Sequence, residues 1–298
     1  MASAQTISIL GPGLLGGSVA LAAKAFGYAE RVHIWARRQS AVDHIHGLGI
    51  ADLASTDLAE VVADSQLIIL ATPVGVMPGL VQGLAELPLA PQTTITDLGS
   101  VKRSVVTAID KILQADKSRL CFVGSHPMAG KEQAGIEHAT ADLFRGAACV
   151  ITPGDSSSEE SVCMVNEFWR ALGCFTVQMR PDEHDEAVAR ISHLPHLTAS
   201  LLTTTALENS PSIGSVAGSG MRDTTRVASG SPEMWAEILL ENRSAIEPAL
   251  RELRDRISAA LALMEAGDEP RLRDLLQEAK DLRDSLHSAR GTSGGDGD

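Results

Sequence analysis

The stretch from Gly124 to Gly130 contains a histidine where proton transfer is expected. It follows the apolar run Leu120 to Val123, which predicts a buried strand that ends where the stretch begins. Ligands bind beyond the carboxyl ends of strands in open α/β sheets. His126 can act there as a base, because the ordinary pKa of histidine is about 6.5. Ser100, at the end of the preceding predicted strand, can hydrogen-bond to His126 or to a substrate hydroxyl.

A glycine-rich turn near the start of the chain predicts a dinucleotide site. The apolar strand Ile7 to Leu10 runs into a G-x-G-x-x-G pattern, and a helix is predicted after it. The first glycine permits the tight turn, the second lets the backbone approach a pyrophosphate, and the third lets helix and strand pack closely. The predicted cofactor-binding residues of this turn are Gly11, Gly13, Leu14, Leu15 and Gly16.

The end of the second predicted strand bears on the choice of cofactor. NAD sites usually carry an acidic residue there, which accepts hydrogen bonds from the ribose hydroxyls. This chain has Ala36 followed by Arg37, Arg38 and Ser40. Because arginine pairs with a 2′-phosphate whereas an acid repels it, the pattern favours NADP, with NAD as the alternative. Thr72 and Pro73, at the end of the third predicted strand, complete the predicted cofactor residues.

Two further polar clusters lie in the second half of the chain. His193 and His196 are three residues apart, and Pro195 between them must kink or restart a helix, which suits the wall of a pocket. Arg226 lies three residues from Asp223, so on a helix the pair either holds the guanidinium in place to recognise a carboxylate or is an ordinary surface pair. The histidines have no matching third and fourth ligands, so no metal site is predicted. Lys102 and Lys131 are predicted to be solvated, and Trp235 to be core.

The order of the predicted elements indicates two domains. Strands and helices alternate up to about Arg180, which predicts a mainly parallel, doubly wound sheet of the Rossmann type over residues 1–180. Residues 181–290 read as helices, including one from Glu183 to Leu207 and one from Pro232 to Met264, and form an all-α domain. Long apolar stripes on these helices suit either a second subunit or the domain's own core. Residues 291–298 are predicted to be a disordered tail.

Composition excludes several classes of function. The net charge of −13 argues against broad nucleic-acid binding, which requires basic patches. The sequence contains neither a long apolar run nor a signal peptide, so it predicts no membrane span. The four cysteines have no metal-binding spacing and are predicted to be reduced core residues, as in a cytoplasmic protein.

Together these motifs resemble the prephenate/arogenate dehydrogenase family of tyrosine biosynthesis over nearly the whole chain. The resemblance rests on six motifs: GPGLLGGS from Gly11, DLGSVK from Asp97, GSHPMAGKE from Gly124, HD at His184 with SHLPH from Ser192, RDTTR from Arg222, and MW at Met234. The first is shared by many dinucleotide-binding proteins. The HPMAG, SHLPH and RDTTR motifs, in this order, are specific to the family.

The resemblance implies oxidative decarboxylation of a cyclohexadienyl substrate, with hydride transfer to NAD(P)+. It implies that His126 accepts the proton of the 4-hydroxyl and that Ser100 orients both groups. It further implies that Arg226 binds a substrate carboxylate and that His196 lies in the substrate pocket. His184, Asp185 and Glu132 match polar residues around the mouth of that pocket, and His184 and Glu132 are expected to bind substrate there. The helical domain is expected to form a homodimer.

Two other classes of protein remain open at this point. A β-hydroxyacid dehydrogenase or imine reductase has the same two-domain plan, but would carry a catalytic Lys or Asp in the helical domain. A non-catalytic NADP sensor would have no need of Ser100, His126 and Arg226 together.

Overall fold

Eight strands form one sheet in the order β3-β2-β1-β4-β5-β6-β7-β8. The computed structural model describes residues 4–115, 119–131, 133–209 and 211–291. The strands are β1 Ala4–Leu10, β2 Ala29–Trp35, β3 Leu53–Ser55, β4 Leu67–Leu70, β5 Thr94–Asp97, β6 Cys121–Pro127, β7 Ala148–Pro153 and β8 Phe175–Gln178. All neighbouring strands run parallel except β6 and β7, which pair antiparallel.

The helices follow the strands in chain order. They are α1 Leu14–Ala25, α2 Gln39–Leu48, α3 Leu58–Val62, α4 Met77–Ala85, α5 Arg103–Ala115, α6 Glu159–Ala171, α7 Pro181–Val188, α8 Leu194–Leu207, α9 Ser219–Thr225, α10 Pro232–Glu241, α11 Arg243–Ala266 and α12 Glu269–Gly291. Short 3₁₀ turns lie at residues 74–76, 136–138, 141–144, 211–216 and 226–229, and a π-helical turn spans Ala189–His193.

The sheet is buried on both faces. Successive residues of a strand point to opposite sides, and in this sheet both sides are core. In β4, Leu67 and Ile69 belong to one core cluster and Ile68 and Leu70 to another. This doubly covered sheet followed by helices confirms the predicted fold class. β3, which is too short to show as an apolar run, was not predicted.

The strand that carries His126 is longer than predicted. The sequence suggested an end at Val123, where the parallel pairing with β5 stops. β6 instead continues to Pro127, because β7 pairs with it from Val123 onward and places His126 opposite Val150. His126 therefore lies beyond the carboxyl end of β5 but inside a strand, where the backbone is held by the ladder of the sheet.

The helical half differs from the prediction at two breaks. The helix expected over 183–207 is interrupted by the π-helical turn and restarts at Leu194, next to Pro195. The helix expected over 232–264 is interrupted at Asn242. Within the described residues, no helix is long and apolar enough to cross a membrane.

The contacts of the chain group it into two compact units, one up to Ile246 and one from Glu247 onward. All the site residues discussed below belong to the first unit. In the second unit the apolar stripe predicted on the helices is largely exposed in a single chain. Its exposed members include Ile257, Leu261, Met264, Leu282 and Leu286.

Candidate active site

His126 is almost completely buried, with 7% of its surface exposed. Its Nδ1 lies 2.8 Å from Nε2 of His184, which α7 contributes. Nδ1 of His184 lies 2.7 Å from a carboxylate oxygen of Asp185. Asp185 in turn accepts hydrogen bonds from the backbone N–H groups of Lys102 (2.8 Å) and Arg103 (3.0 Å) at the start of α5.

This geometry corrects the predicted place of His184 and Asp185. The sequence put both at the mouth of a pocket and gave His184 a role in substrate binding. The structure buries both, with exposures of 0% and 3%. Both ring nitrogens of His184 are engaged, one by the proposed base His126 and the other by Asp185.

Burial keeps His126 in its neutral form. The loss of solvation lowers the pKa of His126 well below the ordinary value, and its electrostatic interactions with His184, Lys102 and His193 lower it further. Burial also lowers the pKa of His184, against the opposing effect of its hydrogen bond to Asp185. Neutral histidine is the form that can accept a proton, so the competent state of His126 extends below pH 6.5.

Lys102 is not the solvated charge that the sequence suggested. Its ammonium group is fully buried and forms an ion pair with the equally buried Asp97 at the end of β5. It also donates to the Ser125 carbonyl at 3.0 Å. Asp97 accepts from the backbone N–H groups of Gly99 (2.8 Å) and Ser125 (2.9 Å). The pair thus ties the loop after β5 to the strand residue that precedes His126.

Ser100 is half-buried in the loop between β5 and α5, on the strand end next to β6. The described part of the chain contains no hydrogen bond between Ser100 and His126, whose Nδ1 is bonded to His184. Ser100 therefore stays a predicted partner for a substrate hydroxyl, while the orientation of the His126 ring comes from α7.

The histidines on either side of Pro195 form a second part of the site. His196 stacks on Trp235 of α10, with ring centroids 3.5 Å apart. Trp235 is half-buried and is not the core residue that was predicted. His193 meets the edge of the same ring. Its Nδ1 lies 3.1 Å from the Asn242 amide, which also donates to the Asp185 carbonyl at 2.8 Å. The second cluster is thereby connected to the His126 cluster.

Arg226 lies directly after α9 and is exposed. The turn that it opens packs against α8, and His196 hydrogen-bonds to the backbone of the next residue, Val227. Desolvation lowers the pKa of His196, and this hydrogen bond opposes the shift. The predicted pair of Arg226 and His196 is thus brought to one place. Glu132 falls outside the described residues.

The glycine-rich turn fits the pyrophosphate of a dinucleotide. Gly11 has a φ of +122°, and a Cβ there would lie 2.5 Å from the Ala71 carbonyl oxygen. A Cβ on Gly16 would lie 2.1 Å from the Gly11 carbonyl oxygen. Gly13 has nothing within 4 Å of a Cβ position, and as the N-cap of α1 it adds no side-chain cap. Leu14 and Leu15 begin α1, so an anion placed at Gly13 would meet the positive end of that helix.

Arg38 and Ser40 line a cavity of about 270 Å³ beside this turn, together with Pro12 and His44. Glu137 contributes an acid to its other side. Arg37 is exposed and is not part of the lining. Thr72 approaches the turn, since its methyl carbon lies 3.2 Å from the Cβ position of Gly11, and Pro73 follows it in the loop after β4.

One hydrogen bond links the loop after β4 to helix α10. The backbone N–H of Gly75, in the turn after Pro73, donates to the Glu237 carboxylate of α10 at 2.7 Å. α10 also carries Trp235. The loop that carries Thr72 and Pro73 is thus hydrogen-bonded to α10. Among the described residues, no group of three or more His, Cys, Asp or Glu side chains is placed to hold a metal ion.

The comparisons with known proteins agree with this arrangement. A family described as "Prephenate dehydrogenase, nucleotide-binding domain" matches residues 19–178, and "Prephenate dehydrogenase, dimerization domain" matches residues 180–278. The chain is 35% identical to the prephenate dehydrogenase of Bacillus subtilis over 286 residues, which cover 95% of this chain and 76% of that protein.

Two solved structures are similar along nearly their whole length. The prephenate dehydrogenase of Aquifex aeolicus, in complex with hydroxyphenyl propionate and NAD+, has a TM-score of 0.86 and 29% identity, covering 95% of this chain and 98% of that one. The arogenate dehydrogenase of Synechocystis has a TM-score of 0.79 and 28% identity, covering 95% and 100%.

Proposed function

The chain belongs to the prephenate dehydrogenase family, and on that premise we propose how its own residues carry out oxidative decarboxylation of a cyclohexadienyl substrate. The substrate class is prephenate or arogenate, and the reaction belongs to tyrosine biosynthesis. The observation that carries the proposal is the buried His126, whose ring is held through Nδ1 by His184.

The chemistry requires few groups from the protein. When bound, the nicotinamide ring supplies the acceptor for the hydride that leaves C4 of the substrate ring. His126 holds the 4-hydroxyl and takes its proton. Loss of the ring carboxylate as CO₂ leaves an electron pair that completes the aromatic ring, and His126 returns the proton to the phenol oxygen. Ser100, at the adjacent strand end, is the proposed second partner of that oxygen.

The other proposed substrate contacts come from helix α8 and from the turn after α9. Arg226 is proposed to bind a carboxylate of the substrate, and His196, fixed by its stacking on Trp235, to line the pocket. Nε2 of His196 is buried and has no partner among the described residues, which suits a contact with a bound molecule. Glu132 stays a predicted substrate residue from its sequence motif alone.

Replacing Arg226 with Ala should raise KM for the substrate about 10–100-fold, the usual worth of a charge-assisted hydrogen bond. KM for the cofactor should stay within about twofold. Arg222→Ala is the matched control, because Arg222 lies on α9 and bonds to the Ala217 carbonyl at 2.8 Å. Steady-state kinetics checks this, and an unchanged substrate KM for Arg226→Ala would remove it from carboxylate binding.

We propose NADP as the preferred cofactor, because Arg38 and Ser40 line the cavity beside the glycine-rich turn. Arg37 is a weaker candidate since it lies outside that lining. The Glu137 carboxylate opposes a 2′-phosphate, so the preference depends on Arg38 outweighing it. NAD is the alternative.

Arg38→Ser should raise KM for NADP+ at least about tenfold and leave KM for NAD+ nearly unchanged, since only the 2′-phosphate contact is lost. Arg31→Ser is the control, because Arg31 is an exposed arginine of β2 that faces Asp64 at 3.9 Å. Equal loss with both cofactors would show that Arg38 does not read the 2′-phosphate.

We also propose a domain boundary and an oligomeric state. A domain boundary near Arg180 is supported by the division of the family matches between residues 178 and 180. A homodimer is supported by the description of the second match as a dimerization domain and by the exposed leucines, isoleucine and methionine of α11 and α12.

The function itself is tested by assaying prephenate and arogenate, each with NAD+ and with NADP+, and following the reduced cofactor by absorbance. We expect turnover with at least one pair and a higher kcat/KM with NADP+. Turnover with none of the four pairs would defeat the proposed function.

A further inference from the structure

Three buried side chains form a row: the proposed base His126 and, behind it, His184 and Asp185. We propose that His184 and Asp185 are a positioning pair that holds the ring proton of His126 on Nδ1 and so leaves the lone pair on Nε2 for the substrate hydroxyl. This inference rests on the proposed function. Neither residue is assigned such a role by the sequence motifs, which placed both at a pocket mouth.

The direction of the hydrogen bonds follows from the Asp185 end of the row. Oδ1 accepts from the Lys102 backbone N–H and Oδ2 from the Arg103 backbone N–H, at the first turn of α5. Each oxygen of this carboxylate thus already accepts from a backbone donor at the positive end of a helix. An ionised carboxylate only accepts hydrogen bonds. The proton in its 2.7 Å contact with His184 must therefore be carried by Nδ1 of His184.

The position of the proton on His184 then determines which ring nitrogen of His126 is protonated. Neutral His184 with a proton on Nδ1 has only a lone pair on Nε2. In the 2.8 Å contact between the two rings, Nδ1 of His126 must therefore donate. A neutral His126 with its proton on Nδ1 presents the unprotonated Nε2 as its remaining ring nitrogen, which is the atom that a general base needs.

The reverse arrangement requires a charged His184. A protonated His184 would donate from Nε2 and force the proton of His126 onto its own Nε2, which would abolish the base. Burial and the positive charge of Lys102 disfavour that state, whereas Asp185 and Asp97 favour it. The electrostatic interaction with His193 also lowers the pKa of His126. The net balance keeps His184 neutral.

The pair also has a role as the reaction proceeds. The substrate O–H bond breaks as a bond forms between that proton and Nε2 of His126, and the electron pair stays on oxygen. His126 is then a cation, and its Nδ1–H bond to His184 becomes charge-assisted, with Asp185 behind it. The proton returns to the same oxygen when CO₂ has left, so the row stabilises a transient charge and passes no net proton outward.

A purely structural role is the competing explanation, because Asp185 ties α7 to the start of α5. Such a role would affect stability but not the position of the His126 ring proton. Nitrogen-15 NMR of histidine-labelled, ligand-free protein distinguishes the two, since protonated and unprotonated ring nitrogens resonate in different ranges. We expect Nδ1 of His126 to be protonated and Nε2 to be unprotonated near pH 7.5.

Two substitutions extend the test to catalysis. His184→Phe keeps a ring but removes the acceptor, and should lower kcat about 10–100-fold, the range found for residues that orient a functional histidine. His184→Gln offers an amide oxygen to His126 and should recover most of that loss. KM for the cofactor should not move in either variant.

A wild-type spectrum with the His126 proton on Nε2 would overturn the proposal, as would equal kcat values for His184→Phe and His184→Gln. The wild-type spectrum decides the matter even where His184→Phe does not fold. It is also independent of the substrate. The expected tautomer with no turnover on any substrate pair would defeat the proposed function and leave the positioning pair standing.

Discussion

Replacing His126 with Asn should lower kcat by about 10²–10⁴, the usual contribution of a general base. Asn cannot supply a basic nitrogen, yet it is polar enough for a site bordered by His184 and Lys102. KM for the cofactor should stay nearly constant, because the predicted cofactor residues lie on other strand ends. Steady-state kinetics on protein of unchanged unfolding temperature is the measurement.

His46→Asn, on the exposed last turn of α2, is the matched control and should retain wild-type kcat. The pH dependence gives a second check. Because burial lowers the pKa of His126, the wild-type kcat/KM should be flat from about pH 6.5 upward and fall only at lower pH. Near-normal turnover of His126→Asn would remove His126 from the mechanism.

Replacing Lys102 with Met should lower the free energy of unfolding by about 3–5 kcal/mol, the cost of leaving one partner of a buried ion pair alone. Both side chains of the Asp97–Lys102 pair have 0% exposure. Met fills a similar volume but offers no charge, so the Asp97 carboxylate is left buried beside only two backbone donors. Urea unfolding measures the change.

The double variant Asp97→Asn with Lys102→Met should recover part of that loss, since two neutral groups of similar volume carry no uncompensated charge. Lys111→Met, on an exposed position of the same helix, should change stability by no more than about 0.5 kcal/mol. A loss from Lys102→Met as small as that of Lys111→Met would show that the buried pair contributes little.

Much of the fold could be predicted because its signals are local. The alternation of apolar runs with helical segments predicted the doubly wound sheet, and the glycine pattern after β1 predicted the turn that places Gly13 at the start of α1. The continuation of β6 through His126 could not be predicted. It depends on the antiparallel pairing with β7, whose first residue is 21 positions further on.

The residues of the site could be predicted more fully than the contacts between them. His126, His196 and Arg226 were identified from motifs, whereas the roles of His184, Asp185 and Lys102 depend on contacts between distant segments. Lys102 meets Asp185 across 83 positions, a distance over which spacing carries no signal. A lysine five residues after the Asp that ends a predicted strand was the one local hint of a buried pair. Cys163 is exposed on α6, against the prediction of a core residue.

The stoichiometry of the reaction distinguishes oxidative decarboxylation from simple oxidation of a hydroxyl group. Purified protein is incubated with prephenate or with arogenate and NADP+ or NAD+, and released CO₂ is measured together with reduced cofactor. The proposed function predicts one CO₂ for each hydride transferred, with both abolished together in His126→Asn. Reduced cofactor without CO₂ would indicate a hydroxyacid-type dehydrogenase, and neither product with any pair would contradict the proposed function.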